Sequence, residues 1–298
     1  MSGPPITVLM ATLNGAAHLE AQLQSLTRQT LPWRLWVSDD GSTDATRALL
    51  HRFAARHPVR VLEGPRMDLA GANFMKALHH PDLPPGPVAF CDQDDLWLPH
   101  RLEDGMRALQ GFGGPAIACA PVQPVDARAR PLGPPLPTFE PCFETALAQN
   151  TLAGAAMTLN AAALAALRAD PLPPPLPFHD WYIALRASAA GWPIRIAPRP
   201  GLLYRQHGDN LLGLRRGPRR RLRQARQLWD GTWTGWRDAT LDALLALPEG
   251  RIPPEARTSA HALRHDRARL RAWTQSGARR RNPLEQSLLR VLAGLARV

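Results

Sequence analysis

Three aspartates, Asp92, Asp94 and Asp95, lie within four residues of one another, directly after the apolar run 88–91. Carboxylates this close repel one another, and burying them without a counter-charge is costly. A divalent cation such as Mg²⁺ or Mn²⁺ is the simplest compensation, because hard cations take carboxylate oxygens as ligands. The apolar run predicts a buried strand whose carboxyl end carries the acids, which is where open α/β sheets bind ligands. A solvated acidic turn is the alternative for such a cluster taken alone.

Polar residues follow two earlier apolar runs in the same way. The run 6–11 leads into Thr12 and Asn14, and the run 35–38 leads into Asp39 and Asp40. Each set could be a helix cap or a turn, but three sets in succession indicate one shared site. Asp40 could there accept hydrogen bonds from a base or a ribose hydroxyl.

The chain has no glycine-rich, lysine-containing loop of the kind that cradles phosphates in P-loop proteins. A metal held at the acidic cluster could instead neutralise a departing diphosphate. This combination suggests transfer from a nucleotide-activated donor.

Alternating apolar runs and amphipathic segments predict a parallel sheet with right-handed crossovers over the first hundred residues. The proline-rich residues 121–149 are predicted to form a loop or an insertion, and 151–159 could be strand or helix by pattern alone. The predicted strands are 6–11, 35–38, 59–62, 88–91, 194–197 and 202–207. The predicted helices are 17–27, 44–56, 71–78, 160–168, 181–190, 239–247, 254–273 and 283–298.

Charge is unevenly distributed along the 298 residues. Residues 1–214 hold 17 Lys+Arg against 18 Asp+Glu, whereas residues 215–298 hold 19 against 7. Three cysteines without CxxC spacing favour a reducing cytosol over a disulfide scaffold or a zinc site. The N-terminus does not read as a signal peptide, and the most apolar long window, 151–167, is too short and polar to span a bilayer comfortably.

Four segments, taken in order, resemble the family 2 inverting glycosyltransferases of GT-A fold: 8–15, 29–30, 37–44 and 92–99. The resemblance covers residues 5–213. It implies a Rossmann-like, mostly parallel sheet with helices on both faces in a domain spanning 1–213. Residues 214–298 would then form a basic, mainly helical C-terminal extension. Within this family, the chain looks most like the rhamnosyltransferase branch that builds bacterial surface polysaccharides. The resemblance to this branch rests on Asp-Gln-Asp-Asp-Leu-Trp at 92–97 and on the later segment 204–210.

The resemblance implies roles for the residues at the strand ends. Ala11, Thr12 and Asn14 would lie against the nucleotide, and Asp40 would contact its base. Asp92 and Asp94 would be the DxD pair. Asp94 or Asp95 would bind the metal, with Asp94 preferred, and another of the three acids would contact the ribose or phosphate. His207 would approach the metal or the diphosphate, the alternative being a structural histidine that caps a strand.

Inverting transfer needs a general base that deprotonates the acceptor hydroxyl. Asp180 stands where the family places this base, although it could merely cap a helix that begins at Trp181. His179 could replace or tune it. Trp181 could stack on a sugar ring or pack in the core. Asn73 matches the family's asparagine after the third strand only loosely, and Arg66 could approach phosphate or be solvated.

The sequence therefore predicts a metal-dependent glycosyltransferase that uses a dTDP- or UDP-linked sugar, such as rhamnose or another deoxyhexose, and a glycan or lipid-linked acceptor. The basic C-terminal part could lie on a membrane surface, bind another subunit or present solvated helix faces. The expected location is the cytoplasm, with a peripheral contact at the inner face of the membrane as one alternative. Two rival classes are a sugar-phosphate nucleotidyltransferase and a non-enzymatic basic binding protein. Nucleic-acid binding is disfavoured because the body is nearly neutral.

Overall fold

The computed structural model describes residues 4–206 and 230–265. Its strands are β1 (Ile6–Thr12), β2 (Trp33–Asp39), β3 (Val59–Glu63), β4 (Val88–Cys91), β5 (Leu96–Trp97), β6 (Ile117–Cys119), β7 (Val122–Val125), β8 (Met157–Leu159), β9 (Ile194–Ile196) and β10 (Leu202–Arg205). Its helices are α1 (Ala16–Leu26), α2 (Thr46–Ala54), α3 (Ala70–Leu78), α4 (Arg101–Ala108), α5 (Phe143–Ala148), α6 (Ala161–Ala169), α7 (His179–Ala189), α8 (Thr232–Leu245) and α9 (Pro254–His265).

The main sheet has seven strands in the order β3-β2-β1-β4-β8-β6-β9. Strands β3, β2, β1 and β4 are mutually parallel, so their carboxyl ends meet at one edge. Every residue of β4 is buried, and β1 is buried except at Ala11, as expected for strands covered on both faces. The predicted α/β fold with a mostly parallel sheet is confirmed.

The second half of the sheet differs from a simple repeat of strand and helix. Strand β8 runs antiparallel to both β4 and β6, and β6 pairs in parallel with β9. A separate three-stranded sheet, β5-β10-β7, pairs the first two residues of β10 with β5, the segment that follows the acids. The segment whose pattern allowed strand or helix contains a short 3₁₀ turn, Gly154–Ala156, followed by β8.

Helix α7 lies at the centre of the helical packing. It contacts α3, the 3₁₀ turn, α5 and α8. Leu185 and Ala189 of α7 join Leu241 and Leu244 of α8 in one apolar cluster. The C-terminal helices are therefore packed onto the element that begins at His179.

Several predictions fall outside the described residues. These are the boundary at 213/214, His207, the helix at 283–298 and residues 266–273 of the helix predicted at 254–273. Among the helices that the structure describes, none is both long and apolar enough to cross a membrane.

Candidate active site

The three aspartates after β4 converge. One carboxylate oxygen from each of Asp92, Asp94 and Asp95 lies within 4.8 Å of the others. Asp95 is fully buried and its Oδ1 accepts a 3.4 Å hydrogen bond from the Arg205 backbone N–H. Its Oδ2 is also buried and has no hydrogen-bond partner within residues 4–206 and 230–265. A buried carboxylate with one unpartnered oxygen, clustered with two further carboxylates, is a donor set suited to a hard divalent cation.

The electrostatics of this acidic cluster indicate the same need for positive charge. Burial, followed by the charges of Asp94 and Asp180, raises the pKa of Asp92 to about 8. Burial, followed by the charges of Asp94 and Asp92, raises the pKa of Asp95 well above its usual range. A bound cation reverses this effect because it stabilises the ionised carboxylates. The residues present therefore fit Mg²⁺ or Mn²⁺.

Asp180 lies in the first turn of α7, whose N-cap is Phe178. Its Oδ2 accepts a hydrogen bond from the Gly154 N–H at 3.0 Å, and its Oδ1 accepts one from the Trp181 N–H at 2.8 Å. Burial raises the pKa of Asp180 to about 6, although the Trp181 N–H, the Asn150 side chain and the Gly154 N–H act to lower it. Its charge also contributes to the raised pKa of Asp92, so the two carboxylates are close enough to interact. The helix begins at His179 and not at Trp181, so Asp180 is not its N-cap residue.

The neighbouring His179 is buried against two aromatic rings. Its imidazole centroid lies 4.1 Å from that of Phe74 and 4.7 Å from that of Phe90. Burial lowers the pKa of His179 to about 3, and its Nε2 has no partner in the described parts of the chain. A Cβ at Gly154 would approach the imidazole Cε1 to 2.8 Å. His179 is therefore a neutral packing residue that the glycine allows to approach closely.

A cleft of ≈ 450 Å³ opens beside the ends of β1 and β2. Asp39 is fully buried, and its carboxylate accepts hydrogen bonds from Thr12 Oγ1 at 2.8 Å and from Nε of Arg47, a residue that lines the cleft, at 2.8 Å. Burial acts to raise the pKa of Asp39, but donors from Ser42, Arg47 and Thr12 outweigh it and lower the pKa. Asp39 is thus an ionised structural anchor. The cleft is lined by Leu13, Asp40, Gly41, Ser42, Thr43, Arg47, Arg66 and Asp68.

Asp40 supports the loop that forms one wall of the cleft. Its Oδ1 accepts a hydrogen bond from the Arg66 N–H at 2.5 Å, and its Oδ2 accepts bonds from the N–H groups of Met67 and Asp68 at 3.2 and 2.8 Å. Arg66 and Asp68 both have positive φ, so these three bonds hold an unusual backbone path. The resemblance implies that Asp40 contacts the base of the nucleotide. The same carboxylate would then bind both the nucleotide base and the N–H groups of this loop.

The loop that follows β1 also borders the cleft, through Leu13. Asn14 has a φ of 47°, its N–H donates to Ser42 Oγ at 2.9 Å, and its Oδ1 accepts from the Thr43 N–H at 2.9 Å. Ala11 is half-buried, whereas Thr12 is buried with its hydroxyl committed to Asp39. Asp40 therefore lines the cleft, and Asn14 is bonded to two of its lining residues, Ser42 and Thr43. Thr12 acts through Asp39, and Ala11 is not among the residues that line the cleft.

The remaining predicted contacts are not brought to this cleft, apart from Arg66. Trp181 is buried, donates from its Nε1 to the Ala146 carbonyl at 2.7 Å and packs on Trp233, so the prediction that it stacks on a sugar ring is not supported. Asn73 is also buried, and its Nδ2 donates to the Ser38 carbonyl at 2.9 Å. Arg66 lines the cleft with an exposed guanidinium.

Two residues with clear structural roles at the site were missed by sequence reasoning. Gln93 bonds to both backbone groups of Leu13, and Arg101 is buried beneath the turn that contacts Asp180. The position of Gln93 between two candidate metal ligands was a usable signal. Arg101 gave none, because an arginine at a helix start is usually solvated.

Comparisons with known proteins agree with this geometry. The family model described as glycosyl transferase family 2 matches residues 7–159. The dTDP-rhamnosyl transferase RfbG of Shigella flexneri is 26% identical over 220 residues, covering 68% of this chain and 73% of that protein.

Solved structures show the same GT-A fold. The S. aureus TarS 1–349 complex with UDP-GlcNAc superposes with a TM-score of 0.56 at 15% identity, covering 98% of this chain and 91% of that chain. The mannosyltransferase PcManGT from Pyrobaculum calidifontis, in complex with GDP-Man and Mn²⁺, gives a TM-score of 0.54 at 19% identity and covers 99% of this chain and 81% of that one.

Proposed function

This chain belongs to glycosyl transferase family 2 and is a glycosyltransferase, and from that premise we propose that it is a metal-dependent inverting enzyme. One observation carries the proposal: an acidic cluster and an open cleft lie at the carboxyl ends of neighbouring parallel strands, and Asp180, with a pKa of about 6, interacts with Asp92 of that cluster. A sugar nucleotide needs a place for its base, a positive charge at its diphosphate and a base for the acceptor. The three parts of the site correspond to these needs.

Asp94 and Asp95 would hold the divalent cation, with His207, which lies outside the described residues, as a further candidate ligand. Asp92 would contact the ribose or phosphate. When bound, Mg²⁺ or Mn²⁺ would supply positive charge to the diphosphate leaving group. Asp95 Oδ2 is buried without a partner in the described chain, which favours its role as a ligand.

Asp180 would act as the general base. A carboxylate with a pKa near 6 is ionised at neutral pH and yet basic enough to take a proton from an attacking hydroxyl. The Gly154 N–H fixes one of its oxygens, so the carboxylate is held in a defined orientation. Asn73, Arg66 and Trp181 were predicted as contacts to the donor sugar or phosphate. Of these three, Arg66 alone remains in the proposal, because it is exposed at the cleft.

The donor would be a dTDP- or UDP-linked sugar, with rhamnose or another deoxyhexose first among candidates because the Shigella relative is a dTDP-rhamnosyl transferase. The acceptor would be a glycan or a lipid-linked glycan used in bacterial surface polysaccharide synthesis. The protein would act in the cytoplasm, with a peripheral contact at the inner face of the cell membrane through the basic C-terminal part.

The excess positive charge of the C-terminal part is confined to two stretches of the sequence. Residues 230–265 hold four arginines against five acids, so the excess positive charge of the C-terminal part lies at 215–229 and 266–298. Those two stretches would supply any attraction to anionic lipid, at about 1 kcal/mol per basic side chain near the surface. The division into a domain at 1–213 and an extension at 214–298 remains a proposal.

A panel of nucleotide sugars tests this function. The protein would be incubated with dTDP-, UDP- and GDP-linked sugars, with Mn²⁺, with Mg²⁺ or with chelator, and the released nucleoside diphosphate would be measured. We expect release from a dTDP- or UDP-linked sugar that requires the metal and increases with a glycan acceptor. Full release in the presence of chelator would contradict the metal-dependent mechanism, and release from GDP-linked sugars alone would contradict the proposed donor.

A further inference from the structure

Gln93 joins the acidic cluster to the nucleotide cleft. It stands between Asp92 and Asp94, and its side chain turns toward the end of β1. The Leu13 N–H donates to Gln93 Oε1 at 3.0 Å, and Gln93 Nε2 donates to the Leu13 carbonyl at 3.0 Å. Because a peptide unit offers one donor and one acceptor, this pairing fixes the orientation of the side-chain amide. Leu13 itself lines the cleft.

The fit around this amide is close. Gly15 is buried, and a Cβ added there would lie 2.2 Å from Gln93 Oε1. The Gly15 N–H in turn donates to Thr46 Oγ1 at 2.8 Å at the start of α2. The amide of Gln93 is therefore built into the β1 loop and is not a solvated side chain that happens to touch it.

The bonds continue from Leu13 into the cleft wall. The next residue, Asn14, is bonded through its N–H to Ser42 Oγ and through its Oδ1 to the Thr43 N–H, both at 2.9 Å. Strand pairing between β1 and β4 ends at Met10 and Cys91, so the two loops that carry these groups lie beyond the sheet. A ligand that orders one loop then lowers the entropic cost of ordering the other.

We propose that Gln93 is a positioning residue that couples cation binding at the acidic cluster to nucleotide binding in the cleft. The inference rests on the proposed function, since it takes the cation and the nucleotide as the two ligands. Coupling of this kind is reciprocal, so each ligand must raise the affinity of the other by the same factor. Part of any such coupling would arise from direct contact between the cation and phosphate. A nucleoside carries no phosphate, so coupling measured with a nucleoside does not include this direct contact.

The test uses the full chain and three variants. Gln93→Met keeps the length of the side chain but removes both hydrogen bonds without adding charge, and Gln93→Asn keeps the amide but shortens its reach. Gln29→Met is the matched control, because Gln29 pairs in the same way with the Leu98 carbonyl at 2.9 Å and the Leu102 N–H at 3.1 Å. Thermal unfolding of each variant shows whether it is folded.

Titration calorimetry or ligand-observed NMR would give the dissociation constants of uridine, thymidine, UDP and dTDP with and without Mn²⁺. In the natural chain we expect Mn²⁺ to tighten binding of the preferred nucleoside by about fivefold or more. The ratio of the nucleoside dissociation constants without and with Mn²⁺ should fall to near one in both Gln93 variants. In Gln29→Met the ratio should be the same as in the natural chain. Hydrogen exchange at the Leu13 N–H should slow with Mn²⁺ in the natural chain and in Gln29→Met only.

Two results would overturn the coupling role. One is a nucleoside affinity that does not depend on Mn²⁺ in the natural chain, and the other is an unchanged ratio in folded Gln93→Met. Failure of the proposed function has a different signature, because then neither UDP nor dTDP would bind under any condition. If Gln93→Met does not fold, the same criteria apply to Gln93→Asn.

Discussion

At the scale of single residues, the structure distinguishes two adjacent candidates for the general base. The pKa of His179 is lowered to about 3 by burial, whereas that of Asp180 is raised to about 6 by burial. A proton arriving at this position therefore goes to the carboxylate, and the imidazole stays neutral near pH 7. This difference favours Asp180 as the base and assigns His179 to packing against Phe74 and Phe90.

Asp180→Asn should abolish transfer while leaving donor binding intact. The amide has the shape of the carboxylate but cannot accept the proton, so kcat should fall by at least about a hundredfold. In the natural enzyme, kcat should decline as the pH falls through about 6, because protonation of Asp180 removes the base. Steady-state rates from pH 5 to 8 and calorimetry with the nucleoside diphosphate would measure both.

Asp82→Asn is the control for this substitution, because Asp82 is exposed and paired with Arg60 at the surface. Its rates should match those of the natural enzyme. Full activity in Asp180→Asn would contradict the assignment of the base.

At the scale of elements, Arg101 supports the turn that holds Asp180. Arg101 is 1% exposed, and its guanidinium donates to Thr158 Oγ1 at 2.7 Å and to the carbonyls of Met157 and Ala155 at 2.9 and 3.3 Å. The guanidinium also lies over the ring of Trp97, 4.8 Å from its centroid. The side chain thus ties the segment after the acidic cluster to the 3₁₀ turn.

Arg101→Lys should lower the free energy of unfolding by about 2–3 kcal/mol, because an ammonium cannot reach all three acceptors and leaves buried oxygens unpaired. Arg107→Lys, on the same helix but exposed and paired with Glu103, should change it by less than about 0.5 kcal/mol. Urea unfolding of the two variants measures the difference. An equal decrease in the free energy of unfolding of both variants would show that the buried hydrogen bonds of Arg101 do not stabilise the fold.

Which elements could be predicted depended on the range of the contacts that define them. β1 to β4 were predictable because their apolar runs reflect burial on both faces, and their polar ends followed from the parallel order. The two-residue strand β5 was not predictable, because its partner β10 lies about a hundred residues further along the chain. The turn at Gly154–Ala156 was not predictable either, because it is bonded to Asp180, about two dozen residues away. The structure favours core packing for Trp181 because Trp233 of α8 covers it. Similarly, the 66–68 loop could not be foreseen as the partner of Asp40.

At the scale of the whole molecule, the described C-terminal helices are part of the packing around the site. Trp236 of α8 packs edge-on against Phe178 with ring centroids 5.0 Å apart, two residues before Asp180. Arg251, between α8 and α9, lies 3.4 Å from the buried Asp170, which itself pairs with Arg186 of α7 at 2.8 Å. These contacts connect the C-terminal helices to both ends of α7. We therefore expect them to unfold together with the glycosyltransferase fold.

Two substitutions in α8 test this cooperativity, because they should change the free energy of unfolding in opposite directions. Leu244→Ala removes a fully buried side chain and should lower the free energy of unfolding by about 2–5 kcal/mol. Gly235→Ala should raise it by about 0.5–1 kcal/mol, because Gly235 is a helical residue whose added Cβ would meet nothing within 4 Å. Urea unfolding followed by far-UV circular dichroism and by hydrogen exchange of β1 should give a single transition that both substitutions shift. If the exchange of β1 amides did not respond to either substitution, α8 would be an independent unit and its packing on α7 would not support the site.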